Sequence, residues 1–234
     1  MKKQIMALSL AGLFSTAFAE QNGFFVGIGG GFSGMSENYE TTDYVRQKAP
    51  AGTIYASKVE QSVSGGSLNV IAGYKNMFGD NQGARFYLNY DYNPVTVEIQ
   101  EAGSGTRLDE RSASYNVIGL NADYLYNFSQ SWGFFVGANL GAIKWSEELY
   151  KFDPGLLDAM DMEMDYKDSW GFYAAAQLGA RYIFGATRAH SVELAVKVPF
   201  TDFTTQYQAP NGEKMAERKL SNTYNASLRY VFSF

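Results

Sequence analysis

Residues 132–143 read WGFFVGANLGAI, and two faces alternate along them. Phe134, Val136, Ala138, Leu140 and Ala142 share one face; Gly137, Asn139 and Gly141 share the other. A period of two is the repeat of a β-strand with a single apolar face. Two further stretches behave alike. In GARFYLNYDYN (83–93), Ala84, Phe86, Leu88, Tyr90 and Tyr92 oppose Arg85, Tyr87, Asn89 and Asp91. In SWGFYAAAQLGARYIF (169–184), Trp170, Phe172, Leu178 and Tyr182 oppose Gly171, Gln177, Gly179 and Arg181. A soluble ligand-binding barrel of eight strands turns its apolar face inward and its polar face to water. That polar face would carry many Lys and Glu; here it carries Gly, Asn, Ser and a few opposed charges. The apolar face therefore points outward into lipid, and the polar face lines the interior.

The same alternation predicts eight strands, at about 23–33, 66–76, 83–93, 114–127, 132–145, 169–184, 190–198 and 220–234. Their connections alternate in length. MFGDNQ (77–82), FSQS (128–131) and GATRA (185–189) are short, whereas 34–65, 94–113, 146–168 and 199–219 are long and polar. An even number of strands with short turns at one end and long loops at the other is the pattern of an outer-membrane barrel. The expected fold is all-β: a single eight-stranded antiparallel transmembrane β-barrel with short periplasmic turns and long extracellular loops.

The chain ends NASLRYVFSF, with Tyr230, Phe232 and Phe234 alternating to the last residue. Chain ends usually fray. A final strand that pairs with GFFVGIGGGFS (23–33) closes a barrel and leaves no edge, as lipid requires. Three tryptophans are expected at the membrane interfaces: Trp132, Trp145 and Trp170. Trp145 has the opposite parity to Trp132, so a bulge between them or a position above the lipid is expected.

The first segment, MKKQIMALSLAGLFSTAFA, has a basic start at Lys2 and Lys3, an apolar run, and Ala17-Phe18-Ala19 as a small-x-small site. It predicts a cleaved signal peptide over 1–19, leaving 20–234 as the barrel domain. Two lysines leave with it, which takes the formal charge from −5 to −7. Acidic balance argues against nucleic acid as a partner. Mean hydropathy is −0.24, and no later stretch is apolar enough for a membrane-spanning helix. The absence of Cys excludes a disulfide framework.

Eight strands enclose an interior only wide enough for side chains. Gly27, Gly73, Gly137 and Gly179 are among the small residues on its face. Lys75, Arg85, Asp123, Arg181, Glu193 and Arg229 lie there too, each a few residues from the short-turn end of its strand. An unpaired charge in so narrow a space is costly, so these six are expected to form a mostly paired network. Asp91 and Lys197 lie higher.

Three motifs tempt another reading. GGGFSG (29–34) matches a dinucleotide fingerprint, but SENYETTDY follows it where a helix should begin. DAMDMEMDY (158–166) has Tyr166 and Phe172 where an EF-hand loop needs Gly and Glu. His190 is the single histidine, and it follows the short turn 185–189, away from the long loops. No enzyme, metal site or cofactor is expected.

Four stretches carry a family likeness: GFFVGIGGGFS (23–33), AGYKNMFGDNQGARFYLNYDYN (72–93), HSVELAVKVPF (190–200) and RKLSNTYNASLRYVFSF (218–234). They resemble the Helicobacter-type outer-membrane protein family of porins and adhesins. The resemblance implies a Gram-negative outer-membrane barrel with a role in adhesion or permeation. It lacks the cysteines that staple the large adhesins of that family. The C-terminal aromatics Tyr230, Phe232 and Phe234 likewise resemble the signal that barrel-assembly machinery recognises. The expected role is structural and surface-interactive, adhesin-like, through four mobile extracellular loops; a small pore is the first alternative and a membrane-edge lipid hydrolase the second. Expected partners are outer-membrane lipid and lipopolysaccharide, the assembly machinery and host-surface ligands.

Overall fold

A computed structural model describes residues 20–48, 58–100, 107–147, 165–167, 170–209 and 211–234. The proposed signal peptide, and most of the acidic stretch between 146 and 168, lie outside the described residues. Eight long strands form the wall: β1 (Gly23–Thr41), β2 (Lys58–Met77), β3 (Gln82–Gln100), β4 (Arg107–Asn127), β5 (Trp132–Glu147), β7 (Trp170–Phe184), β8 (His190–Pro199) and β10 (Lys214–Ser233). Two short strands extend it at the loop end, β6 (Asp165–Lys167) before β7 and β9 (Phe203–Gln208) after β8. A six-residue helix, α1 (Asp43–Lys48), follows β1.

Each long strand pairs antiparallel with its neighbour, and β1 closes on β10 from Phe25↔Ser233 to Thr41↔Ala216. The last residue takes part: the Phe234 amide donates to the Phe24 carbonyl at 2.8 Å. The result is a closed antiparallel barrel with no free edge along the spanning strands. Its turns at the other end are tight. In the turn after β7, Gly185 has φ +88° and its carbonyl accepts from the Arg188 amide at 3.0 Å. Gly supplies that positive φ without strain.

The strands run well past the expected limits at the loop end. Residues 35–41, 94–100 and 107–113, expected as loop, are strand, as are 203–208 and 214–219. The alternation does not stop there; it inverts. Along β3 the outward residues change from Tyr90 and Tyr92 to Pro94 and Thr96, while the inward ones change from Asp91 and Asn93 to Val95 and Val97. Along β4, Leu120 and Ile118 give way outward to Asn116, Ser114 and Ser112, over inward Val117, Tyr115 and Ala113. Once a wall leaves lipid its outer face meets water and its inner face can become a core, as in a soluble barrel. Met35, Val63, Val97, Tyr173, Phe203 and Leu220 belong to this apolar layer.

Trp145 belongs to it too, which corrects its expected place at the membrane interface. The pairings of β5 with β4 and β7 carry no register shift, so parity runs unbroken from Trp132 and turns residue 145 inward. It is 1% exposed. Trp132 and Trp170 stay on the outer face, Trp132 beside Tyr182 (ring centroids 4.9 Å) and Trp170 under the Lys144 ammonium (5.3 Å).

Candidate functional site

The interior is built in three layers. Nearest the short turns, the network centres on Glu193, which β8 delivers at 0% exposure. Arg85 from β3 binds it in a fork, Nη1 to Oε1 at 2.7 Å and Nη2 to Oε2 at 3.0 Å. Arg181 from β7 donates Nε to Oε1 at 3.1 Å, and Arg229 from β10 donates Nη2 to Oε2 at 3.0 Å. Planar guanidinium groups suit such shared, two-pronged contacts. Arg85 also donates Nε to Asp123 Oδ2 at 2.7 Å, while its Cζ lies 4.6 Å from the Phe135 ring centre. Gly137 makes room for this: a Cβ there would fall 2.1 Å from Asp123 Oδ1.

Lys75 enters the network by a residue the sequence reading left out. Glu20, just before β1, folds into the barrel end and pairs with Lys75 Nζ at 2.5 Å and with Arg181 Nη2. Burial pushes its carboxyl pKa up, but Arg181 and then Lys75 outweigh that and hold it at about 2. Four cations (Lys75, Arg85, Arg181, Arg229) thus share three anions (Glu20, Asp123, Glu193). With its oxygens taken by three arginines, Glu193 has no free lone pair aimed at a substrate proton.

The middle layer is neutral amides and one ion pair. Asn139 Nδ2 donates to Asn89 Oδ1 and Asn121 Oδ1, both at 2.6 Å, and Gln177 Nε2 donates to the Tyr87 hydroxyl at 2.8 Å. Lys197 Nζ lies 2.6 Å from Asp91 Oδ2. The third layer is the apolar one, and it holds a second charge pair, in segments expected to be loop. Arg218 Nε lies 2.5 Å from Glu37 Oε1, and Arg218 Nη1 donates to the Tyr207 hydroxyl at 2.6 Å.

His190 stands apart from all of this. It faces outward from the start of β8, between the rings of Phe184 (5.5 Å) and Phe232 (5.1 Å), with Nδ1 2.6 Å from the Tyr230 hydroxyl. Glu193 faces inward, so the structure does not bring the two together. Phe232 and Phe234 stack edge to face at 5.0 Å beside them.

A solved structure of similar architecture is known, and others are similar more loosely. The outer membrane protein OprG from Pseudomonas aeruginosa superposes with a TM-score of 0.51 at 16% identity, covering 92% of this chain and 99% of its own. Neisserial surface protein A gives 0.41 at 14% identity, over 92% of this chain and all of that one. The outer membrane protease OmpT from Escherichia coli gives 0.45 at 11% identity, over 94% and 99%. No curated protein sequence matches. A family model described as Helicobacter outer membrane protein matches residues 69–234, which places the chain in the outer membrane. The chain belongs to the Helicobacter outer membrane protein family.

Proposed function

We propose that this outer-membrane barrel is a closed, surface-interactive protein, adhesin-like in role, that neither conducts solutes nor catalyses a reaction. One observation carries the reading: among the described residues, each level of the interior holds side chains sealed from solvent. Glu193 is fully buried at one end, Asn139 in the middle and Trp145 at the other. A barrel that invested its interior in packing keeps its outward surfaces for contact. Those surfaces divide by chemistry. The apolar belt takes lipid, and Lys144 over Trp170 suits a lipopolysaccharide phosphate at the upper rim. The polar wall above the belt is the surface for host ligands. The C-terminal Tyr230 and Phe232 on the closing strand, with Phe234 just after it, are the segment offered to assembly machinery.

The test is to reconstitute residues 20–234 into dye-loaded vesicles and planar bilayers. Vesicles that adhere to host epithelial cells while retaining a small dye, with a silent bilayer, support the reading. Discrete conductance steps that change with Arg181→Ala or Glu193→Ala would overturn it in favour of a pore.

A further inference from the structure

Arg218 is a charge in the wrong layer. It touches Trp145, a member of the apolar layer, and an aliphatic side chain there would continue that layer without desolvating an ion. Instead its guanidinium is held among three aromatic residues and a carboxylate. Cζ lies 5.1 Å from the Trp145 ring centre, 5.4 Å from Tyr39 and 5.5 Å from Tyr207. Glu37 Oε1 forms an ion pair with the guanidinium, 2.5 Å from Nε, and the Tyr207 hydroxyl accepts from Nη1. Gln61 fixes the carboxylate by donating Nε2 to Glu37 Oε2 at 2.8 Å. Two aromatic rings close by, one hydroxyl acceptor and one anion are the kinds of group that recognise a guanidinium.

We infer that Tyr39, Trp145, Tyr207 and Glu37 form a guanidinium-binding box in the extracellular mouth, held closed by the chain's own Arg218, and that the arginine side chain of an extracellular peptide is the ligand that takes its place. This goes beyond the surface role proposed above and does not depend on it. Three features make the exchange physical. Tyr39 is half-buried where Trp145, Tyr207 and Glu37 are buried, so the box has an outer door. Arg218 rides on a piece of β10 bounded by irregular register on both sides, near Lys214/Ala216 against β9 and beyond Ser221 against β1. Such irregularities bend and twist a strand locally. One residue further along, on the outer face of the same wall, a cleft of about 280 Å³ is lined by Glu40, Asp43 and Glu217, the last paired with Lys214, and its net charge is negative.

The experiment uses the full barrel with Trp132→Phe and Trp170→Phe, so that Trp145 is the single fluorophore. Arg218→Ala is folded into lipid, its closure checked by heat-modifiable mobility, and titrated with N-acetyl-arginine amide and with its neutral citrulline counterpart. Trp145 emission should shift red on loss of Arg218 and return on adding the arginine amide. The citrulline compound should be roughly tenfold weaker or more, and Glu37→Gln in the same background should remove that preference. An Arg218→Ala barrel whose Trp145 signal responds equally to both compounds, or to neither, overturns the box. Should that variant not fold, the protein with Arg218 intact decides. Hexa-arginine moving Trp145 emission where hexacitrulline does not supports the exchange; no difference between them overturns it.

Discussion

Glu193 shows what a single residue is asked to do inside a narrow barrel. Arg85, Arg181 and Arg229 all reach it, so its removal leaves three guanidinium groups with reduced or no compensation in a site that excludes water. Glu193→Ala should lower unfolding stability by about 3–5 kcal/mol, the range for breaking a buried pair from one side. Urea unfolding of the lipid-folded barrel reads this out; a midpoint equal to that of the unaltered protein would refute a structural role for the network. Glu20 carries a pH signature at the same scale. Its pKa is depressed from the ordinary 4.5 to about 2, so the stability it contributes is complete above 4.5 and disappears as pH falls toward 2. The stability gap between the unaltered barrel and Glu20→Gln should therefore be constant from neutral pH down to about 5 and close below it. A gap that persists at pH 2 would mean that the carboxylate's charge is not what matters.

At the scale of the strand, β5 is the instructive case. Its two tryptophans stand at opposite ends and on opposite faces, Trp132 in the outer belt and Trp145 in the core of the mouth. Brominated lipid should quench single-tryptophan proteins bearing Trp132 or Trp170, and leave one bearing Trp145 bright. Strong quenching of Trp145 would restore the interface position that its place in sequence first suggested. The fold was legible because lipid imposes one rule on every spanning strand, apolar out and polar in, and the eight runs obey it. Parity also marked Arg85, Asp123, Arg181, Glu193 and Arg229 as inward, and the structure joins them by direct contacts. Lys75 reaches them through Glu20, a residue hidden by its place next to the expected cleavage site and outside any alternating run. Glu37 and Arg218 were missed for a different reason. They lie where the rule inverts, so a reading that sought apolar residues on the outer face ended each strand too soon.

That inversion governs the whole molecule, because it converts the expected flexible loops into a standing wall. The segments 35–41, 94–100, 107–113 and 214–219 continue the sheet above the lipid belt, and β6 pairs with β9 to extend the side that β7 and β8 leave low. The apolar layer within this extension joins side chains from β1, β2, β3, β4, β5, β7, β9 and β10. Backbone amides in such a wall are paired on both sides and sealed from water on one, and they open only with the sheet itself. Hydrogen exchange on the barrel in lipid nanodiscs should therefore find amides near Glu37–Tyr39, Val95–Val97 and Arg218–Leu220 protected almost as well as those of the spanning strands. Arg218→Ala should lower that protection in the β1 and β10 segments while leaving Phe134–Leu140 unchanged, since the two regions share no layer. Rapid exchange of the upper segments in the unaltered barrel would return them to mobile loops and remove the mouth's core. Protection that ends sharply at the wall's upper limit would instead identify the rigid rim on which any ligand of this protein must land.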